Sequence, residues 1–240
     1  MKGAASTRYY RECEQLLMAT FFPPLAGRLL LKTDLWDEAK NTEILCWAAE
    51  RGARALGIDI AYPTVHAAKA AFDGRPLWCA AADVRHLPFS DSSVDLIYSM
   101  GTIEHFPEYT LALHELFRVL RPGGTAIIGV PNKLDPFLRP AFVYVLNRFG
   151  WYPYGMEKSF TPGELRRLLT SVGFLPTGRS GVLFMPGWLR VLDLYLHFKR
   201  PASTSATAAL VRSFAWLYRR YPALRKHGYL LAMAAVKPGP

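Results

Sequence analysis

VDLIYSMGTIEHFPEYTLALHELFRVLRPGGTAIIGVP, residues 94–131, sets the fold class. The run from Val94 to Tyr98 has the length and apolar content of a strand buried on both faces. After Pro107 the period changes, and Leu111, Leu113, Leu116, Phe117 and Leu120 give one apolar face to a helix over roughly 108–120. Arg121, Pro122, Gly123 and Gly124 stop that helix and feed a second apolar strand, Thr125–Val130. Strand, helix and strand with short connections form the unit of a parallel sheet.

The same alternation extends upstream. Leu29–Leu31, Ala55–Ile60 and Leu77–Ala82 read as buried strands, with helical patterns at 41–51 and 63–72 between them. A helix around 8–20 precedes Pro23 and Pro24. The expected fold is α/β, Rossmann-like and doubly wound, with helices on both faces. After Pro131 the pattern changes. Residues 133–160 read as an irregular aromatic segment, and Thr161, Pro162 and Glu164 open a helix that Gly173 closes after Val172. A strand near 174–184, helices over 187–199 and 207–221, and a closing strand Tyr229–Val236 complete the chain. It is expected to be a single domain over 1–240. Its parts are an N-terminal helical segment (1–27), a core (28–132), a lid insertion (133–160) and C-terminal helices and strands (161–240).

The 240 residues are 51% hydrophobic, 20% charged and 13% aromatic, a globular composition too apolar for disorder. Cys13, Cys46 and Cys79 are widely spaced, which argues against a disulfide framework or a cysteine zinc site and for a reducing compartment. No signal peptide opens the chain and no apolar run approaches a membrane span, so a cytoplasmic protein is expected. The net charge of +10 is uneven: residues 1–132 hold 13 Lys/Arg and 15 Asp/Glu, whereas 133–240 hold 16 and 4. The basic half also carries 18 of the 32 aromatics. That asymmetry suits an anionic partner, or is a compositional habit of an Arg-rich surface.

In open parallel sheets, ligands sit at the carboxyl ends of the strands. Those ends carry Thr33 and Asp34, then Asp59 and Ile60, then Asp83 and Val84, then Ser99 to His105. An acid ending the second strand can accept hydrogen bonds from both ribose hydroxyls of a nucleoside. Each acid alone also reads as a turn former or helix cap; the ordered set favours a nucleoside site.

The runs Ala81–Phe89, Ser93–Tyr98, Ile103–Phe106 and Leu120–Gly124 together resemble the small-molecule branch of the class I S-adenosylmethionine-dependent methyltransferases. The resemblance covers about 28–131, and Tyr229–Lys237 is similar to the last, antiparallel strand of that seven-stranded fold. It implies S-adenosyl-L-methionine as cofactor, with Asp59 at the ribose, Asp83 and Val84 at the adenine, and Ser99, Met100 and the residues to His105 at the methyl-transfer region. The chain departs from the family at the loop after the first strand, where a glycine-rich turn is usual. It reads Thr33, Asp34, Leu35, Trp36, Asp37, Glu38, Ala39. By the resemblance, Thr33, Asp34 and Leu35 still meet the cofactor, and Glu38 or Asp37 replaces backbone contacts by meeting its ammonium. The rival reading is a loop that has lost the cofactor, leaving a binding or scaffold protein.

His105 is the first candidate base, because imidazole titrates near neutral pH, and Glu104 the second. His105 also reads as a cap of the following helix. Tyr152, Tyr154, Glu157, Lys158 and Phe160 in the lid are candidate acceptor contacts, or a small satellite core. No grouping has metal-ligand spacing. In 187–199 the polar positions Arg190, Asp193 and His197 form one stripe that continues to Arg200. In 207–221 Leu210, Phe214, Leu217 and Tyr221 form the expected core face, with Trp216 among Arg212, Arg219 and Arg220 outside. Trp among Arg suits an anionic membrane surface, such as the inner face of the cell membrane. RNA is the less favoured partner, because no RNA-binding motif accompanies the charge. The expected acceptor is a small, hydrophobic or lipid-like molecule.

Overall fold

The computed structural model describes residues 1–72, 77–151 and 157–239. The buried runs form seven strands among these residues: β1 (Leu29–Lys32), β2 (Arg54–Asp59), β3 (Leu77–Ala81), β4 (Val94–Met100), β5 (Leu120–Pro131), β6 (Leu175–Val182) and β7 (Leu230–Val236). Their order across the sheet is β3-β2-β1-β4-β5-β7-β6. The first five are parallel, and β7 runs antiparallel between β5 and β6. The order reverses direction between β1 and β4, whose Leu31 and Ile97 are paired. A crevice for a ligand opens at such a switch point.

The helices are α1 (Ala5–Phe21), α2 (Trp36–Lys40), α3 (Ile44–Ala49), α4 (Tyr62–Ala71), α5 (Tyr109–Val119), α6 (Arg139–Arg148), α7 (Pro162–Val172), α8 (Gly187–Lys199) and α9 (Ser205–Arg220). They cover both faces of the sheet, which is why strand residues of both parities are apolar. Leu30, Tyr98 and Ile127 face a core shared with α1, α3, α4, α8 and α9. Leu31, Ile97 and Ile128, one residue out of phase, face α5 and α7. The start of α7 is a reciprocal cap. The Thr161 hydroxyl accepts from the Glu164 N–H at 3.2 Å, and the Glu164 carboxylate accepts from the Thr161 N–H at 2.7 Å. Gly173, at φ +108°, closes the helix in the left-handed conformation.

Five local expectations need correction. Residues 133–160 are not wholly irregular: Pro140 in the first turn starts α6, a ten-residue helix with Val143 turned inward. In α5 the buried face is Ala112, Leu113, Leu116 and Val119, while Leu111 is exposed. Leu120 already belongs to β5, and Arg121–Gly124 bulges between the pairs Val94 with Leu120 and Leu96 with Thr125. In α9 the inward face is Thr207, Val211, Ala215 and Tyr218, leaving Leu210 and Tyr221 outside. In α8 the polar stripe faces the protein, because α1 offers it partners. The Asp193 carboxylate accepts the Ser6 N–H at 2.8 Å, and the Arg190 guanidinium lies 5.1 Å from the Tyr10 ring.

Candidate active site

The loop after β1 is built from side chains. Thr33 donates its hydroxyl to the Ser99 hydroxyl at 2.8 Å and lies 2.9 Å from that of Thr102, which ties the ends of β1 and β4 together. Asp34 accepts the Trp36 N–H at 3.0 Å, which turns the chain into the short α2. Leu35 is fully buried against Gly57 of β2, where a Cβ would come within 2.3 Å of its Cδ2. Only glycine leaves room for that leucine, so the usual economy of this turn is inverted: the glycine lies on the neighbouring strand and the bulk in the loop.

Asp59 joins this loop to the next. Its carboxylate accepts the Leu35 N–H at 3.1 Å and the Ala61 N–H at 2.8 Å, one on each oxygen. Each oxygen keeps a lone pair for a further donor. Burial raises its pKa above the ordinary aspartate value, and the two N–H groups oppose that rise. Ile60 beside it is 69% exposed. At the end of β3, Asp83 is forked onto the Arg85 guanidinium at 2.7–3.1 Å, which holds its pKa below the usual range. Val84 is buried, as are Ser99 and Met100.

Beneath the loop lies a residue that the sequence reading passed over. Lys32, the last residue of β1, is 1% exposed. Its ammonium sits 3.0 Å from Asp34, 2.9 Å from Glu38 and 3.7 Å from Asp37. Burial alone would strip its proton; those carboxylates, with Glu14, outweigh burial and hold its pKa well above the ordinary lysine value. Glu38 is itself fully buried, accepts the Leu45 N–H at 2.9 Å, and is pushed by burial up to about 7 against the pull of Lys32. Glu38 and Asp37, expected at a cofactor's ammonium, therefore lie under the loop around an ammonium that the chain supplies. The signal was available: one lysine ends an otherwise apolar strand, and three acids follow within six residues.

After β4 a 3₁₀ turn, Ile103–His105, separates the two candidate bases. His105 is exposed, whereas Glu104 is 4% exposed. Its Oε2 has no hydrogen-bond partner among the described residues, and burial pushes its carboxyl up to about 8. The Glu104 carbonyl accepts the Lys158 N–H at 3.1 Å, which ties residue 158 to this turn. The Lys158 ammonium donates to the Tyr109 hydroxyl at 2.6 Å. Phe160 is buried edge-on against the Tyr109 ring, with centroids 5.7 Å apart. Glu157 forms a buried ion pair with Arg139 at the start of α6. Arg139, Glu14 and Thr102 are further members of the site that the sequence reading did not single out. Tyr152 and Tyr154 lie outside the described residues. No group of side chains suited to a metal ion occurs among the described residues.

At the carboxyl ends of the strands the structure thus ties Thr33 to Ser99 and Thr102, and Leu35 to Asp59, with Asp34 and Glu104 in the adjoining turns and Ile60, Asp83 and Val84 along the next strand ends. The methyltransferase-domain family matches residues 41–128. An S-adenosylmethionine-dependent methyltransferase of Mycolicibacterium smegmatis is 27% identical over 190 residues, 77% of this chain and 66% of that protein. Over this stretch the chain is similar to S-adenosylmethionine-dependent methyltransferases, and its sheet has the strand order described above. A ubiquinone biosynthesis O-methyltransferase of Chelativorans is 27% identical over 70% of each chain. The crystal structure of a Mesorhizobium loti S-adenosylmethionine-dependent methyltransferase superposes with a TM-score of 0.63 at 16% identity, covering 93% of this chain and 97% of that one. Among the relatives matched first, the chain spans between 46% and 66% of their length.

The similar proteins are named for their dependence on S-adenosylmethionine. Asp59 keeps acceptor capacity beyond its two backbone N–H groups, and Ile60 beside it presents an exposed apolar side chain. Of the three acids in the loop Asp34 is the least buried, its side chain 20% exposed.

Proposed function

We propose that this chain transfers a methyl group to an oxygen of a small, hydrophobic or lipid-like acceptor. The observation that carries the reading is the succession Asp34, Asp59, Asp83 at the carboxyl ends of β1, β2 and β3, with Glu104 buried just beyond β4. S-adenosyl-L-methionine, when bound, supplies a methyl group already activated on a sulfonium. Asp59 would hold the ribose hydroxyls, Asp83 and Val84 the adenine, and Thr33, Asp34 and Leu35 with Ser99 and Met100 the methionine portion. The chain's remaining tasks are to align an acceptor, exclude water and take a proton.

Glu104 suits the last task better than His105. It is enclosed, and its Oε2 is uncommitted among the described residues. With a pKa of about 8, it gains basicity through the range where a hydroxyl acceptor would give up its proton. The lid residues Glu157, Lys158 and Phe160 close the same side, and their apolar and aromatic surroundings support a hydrophobic acceptor. The Chelativorans relative, an O-methyltransferase by name, supports oxygen as the acceptor atom.

Calorimetric titration with S-adenosylmethionine and S-adenosylhomocysteine tests the site. Binding that Asp59→Ala weakens by about 10- to 100-fold, the value of a hydrogen bond to a charged group, supports it. No binding at millimolar ligand overturns it in favour of a scaffold role. Turnover in an acceptor screen then separates the bases. Glu104→Gln should abolish turnover with cofactor affinity retained, whereas His105→Ala should leave turnover within a few-fold of wild type.

A further inference from the structure

α8 is amphipathic with its faces reversed. Inward, the Asp193 carboxylate caps the start of α1 through the Ser6 N–H, and His197 Nε2 meets the Lys2 carbonyl at 3.2 Å. These contacts fix the rotation of the helix about its axis. Outward, Trp188, Val191, Leu192, Tyr195 and Phe198 recur at helical spacing, and four of the five are more than half exposed. Both α6 and α9 pack against α8. On α9, Trp216 is 53% exposed and, with Ala209, Arg212, Ser213 and Leu217, lines an open surface cleft of about 480 Å³.

The charge on this cap has one sign. Residues 187–226 contain eight Lys/Arg and a single acid, Asp193, which is buried against α1. Lys199, Arg200, Arg212 and Arg220 are exposed.

We propose that the outer face of α8, with the Trp216 side of α9, docks on an anionic lipid bilayer. The apolar stripe would enter at headgroup depth, and the Arg and Lys side chains would reach anionic headgroups with their stems along the apolar surface. No helix among the described residues is long and apolar enough to cross a membrane, so the contact lies in the plane of the interface. A second copy of the chain is a poorer occupant, because a two-fold pairing would bring like charges together. A polyanion in water would leave Val191, Leu192 and Phe198 uncovered. The proposal is independent of methyl transfer, and its test needs neither cofactor nor acceptor.

The test is co-sedimentation of the full chain with phosphatidylcholine vesicles, with and without phosphatidylglycerol, alongside light scattering of the protein alone. Binding is expected to the anionic vesicles, with a blue shift of tryptophan emission and a loss of affinity on adding salt. Phe198→Ser should weaken it about tenfold, the consequence of withdrawing one large apolar side chain from the interface. Arg212→Gln with Arg220→Gln should weaken binding and flatten the salt dependence. Tyr195→Ser serves as a second variant should Phe198→Ser fail to fold by circular dichroism. The proposal is overturned by an absence of binding to anionic vesicles. It is equally overturned by binding that responds to the Arg variants but to neither Phe198→Ser nor Tyr195→Ser, which would be surface adsorption alone. A dimer dispersed by the same serine substitutions would assign the face to self-association and overturn it too.

Discussion

Under the β1 loop, Lys32 brings a charge into the protein and gathers Asp34 and Glu38 at 3.0 and 2.9 Å around it. Under α8, Asp193 brings in a carboxylate of opposite sign, and its hydrogen-bond partner among the described residues is one backbone N–H, that of Ser6. Both groups are about 1% exposed. They differ in what each leaves behind. Asp37 and Glu38 are buried, and Asp34 partly so, with the Lys32 ammonium beside them, so they are tolerated only as a set. The N–H groups at the start of α1 need an acceptor but carry no net charge, and water or another side chain can replace Asp193 in part. The loop is therefore an ionic device that works whole, whereas the cap is attached by separable polar contacts.

The largest expected effect follows from the first half of that contrast. Lys32→Met leaves Asp34, Asp37 and Glu38 around an apolar side chain and should cost about 3–5 kcal/mol in urea unfolding. It should also weaken binding of S-adenosylmethionine, because the loop carrying Thr33 to Leu35 loses its anchor. Adding Glu38→Gln should recover part of the lost stability, since the double variant buries one charge fewer. A loss no greater than that of Asp193→Ala would break the contrast.

Glu104 is a third case, a buried acid whose Oε2 has no hydrogen-bond partner among the described residues. Its carboxyl sits at about 8 in the folded chain against 4.5 ordinarily. Between those values the folded protein holds a proton that the unfolded chain has released. The folded state is therefore favoured most fully below about pH 4.5 and loses that advantage as pH rises through 8. Glu104→Gln removes this slope, and at pH 8 the variant should be more stable than wild type by on the order of 4 kcal/mol. Unfolding midpoints at pH 5 and pH 8 check it: the gain should be confined to the higher pH. Wild-type turnover should rise over the same interval as the base loses its proton.

Asp193→Ala comes next. Losing the cap of α1 should cost about 1 kcal/mol, and Asp193→Asn, which keeps an acceptor oxygen, should cost less. Chemical denaturation at neutral pH distinguishes them. A loss of several kcal/mol would mean that Arg190 and His197 leave with Asp193, and that the cap is a cooperative unit like the loop.

The contrast also explains what could be read without the structure. Leu30 and Leu31 face opposite cores, as do Leu96 and Ile97; a parallel sheet covered on both sides demands such runs, so the strands and their order of appearance were legible. The Thr161 to Glu164 cap was legible because both partners lie within one turn. Asp59 and Asp83 stood out because they end strands. Lys32 did not, since a strand-ending lysine ordinarily points to solvent, and its burial depends on acids folding back over it. The rotation of α8 was hidden for a similar reason. Its sequence shows two faces, but the group that selects the inward one, the Ser6 N–H, is 187 residues away. In α9, Val211 and Ala215 are small enough to sit close to α1, and they displaced the larger Leu210 and Tyr221 from the expected core face.

The smallest effect is the sharpest check on α8. Val191 is 54% exposed on the outer face, two residues from the buried Leu189 and Asp193. Were the helix rotated as a simple amphipathic reading requires, Val191 would be core, and Val191→Ser would open a cavity and bury a hydroxyl. In the orientation described here it does neither, so the change in unfolding free energy should stay within about 0.5 kcal/mol. The β-branch of valine gives no advantage at an exposed helical position either. Urea denaturation of this single variant therefore reports the direction in which α8 faces: a near-zero cost places its polar stripe inside, and a cost of core size would return Asp193 to solvent and dissolve the contrast with Lys32.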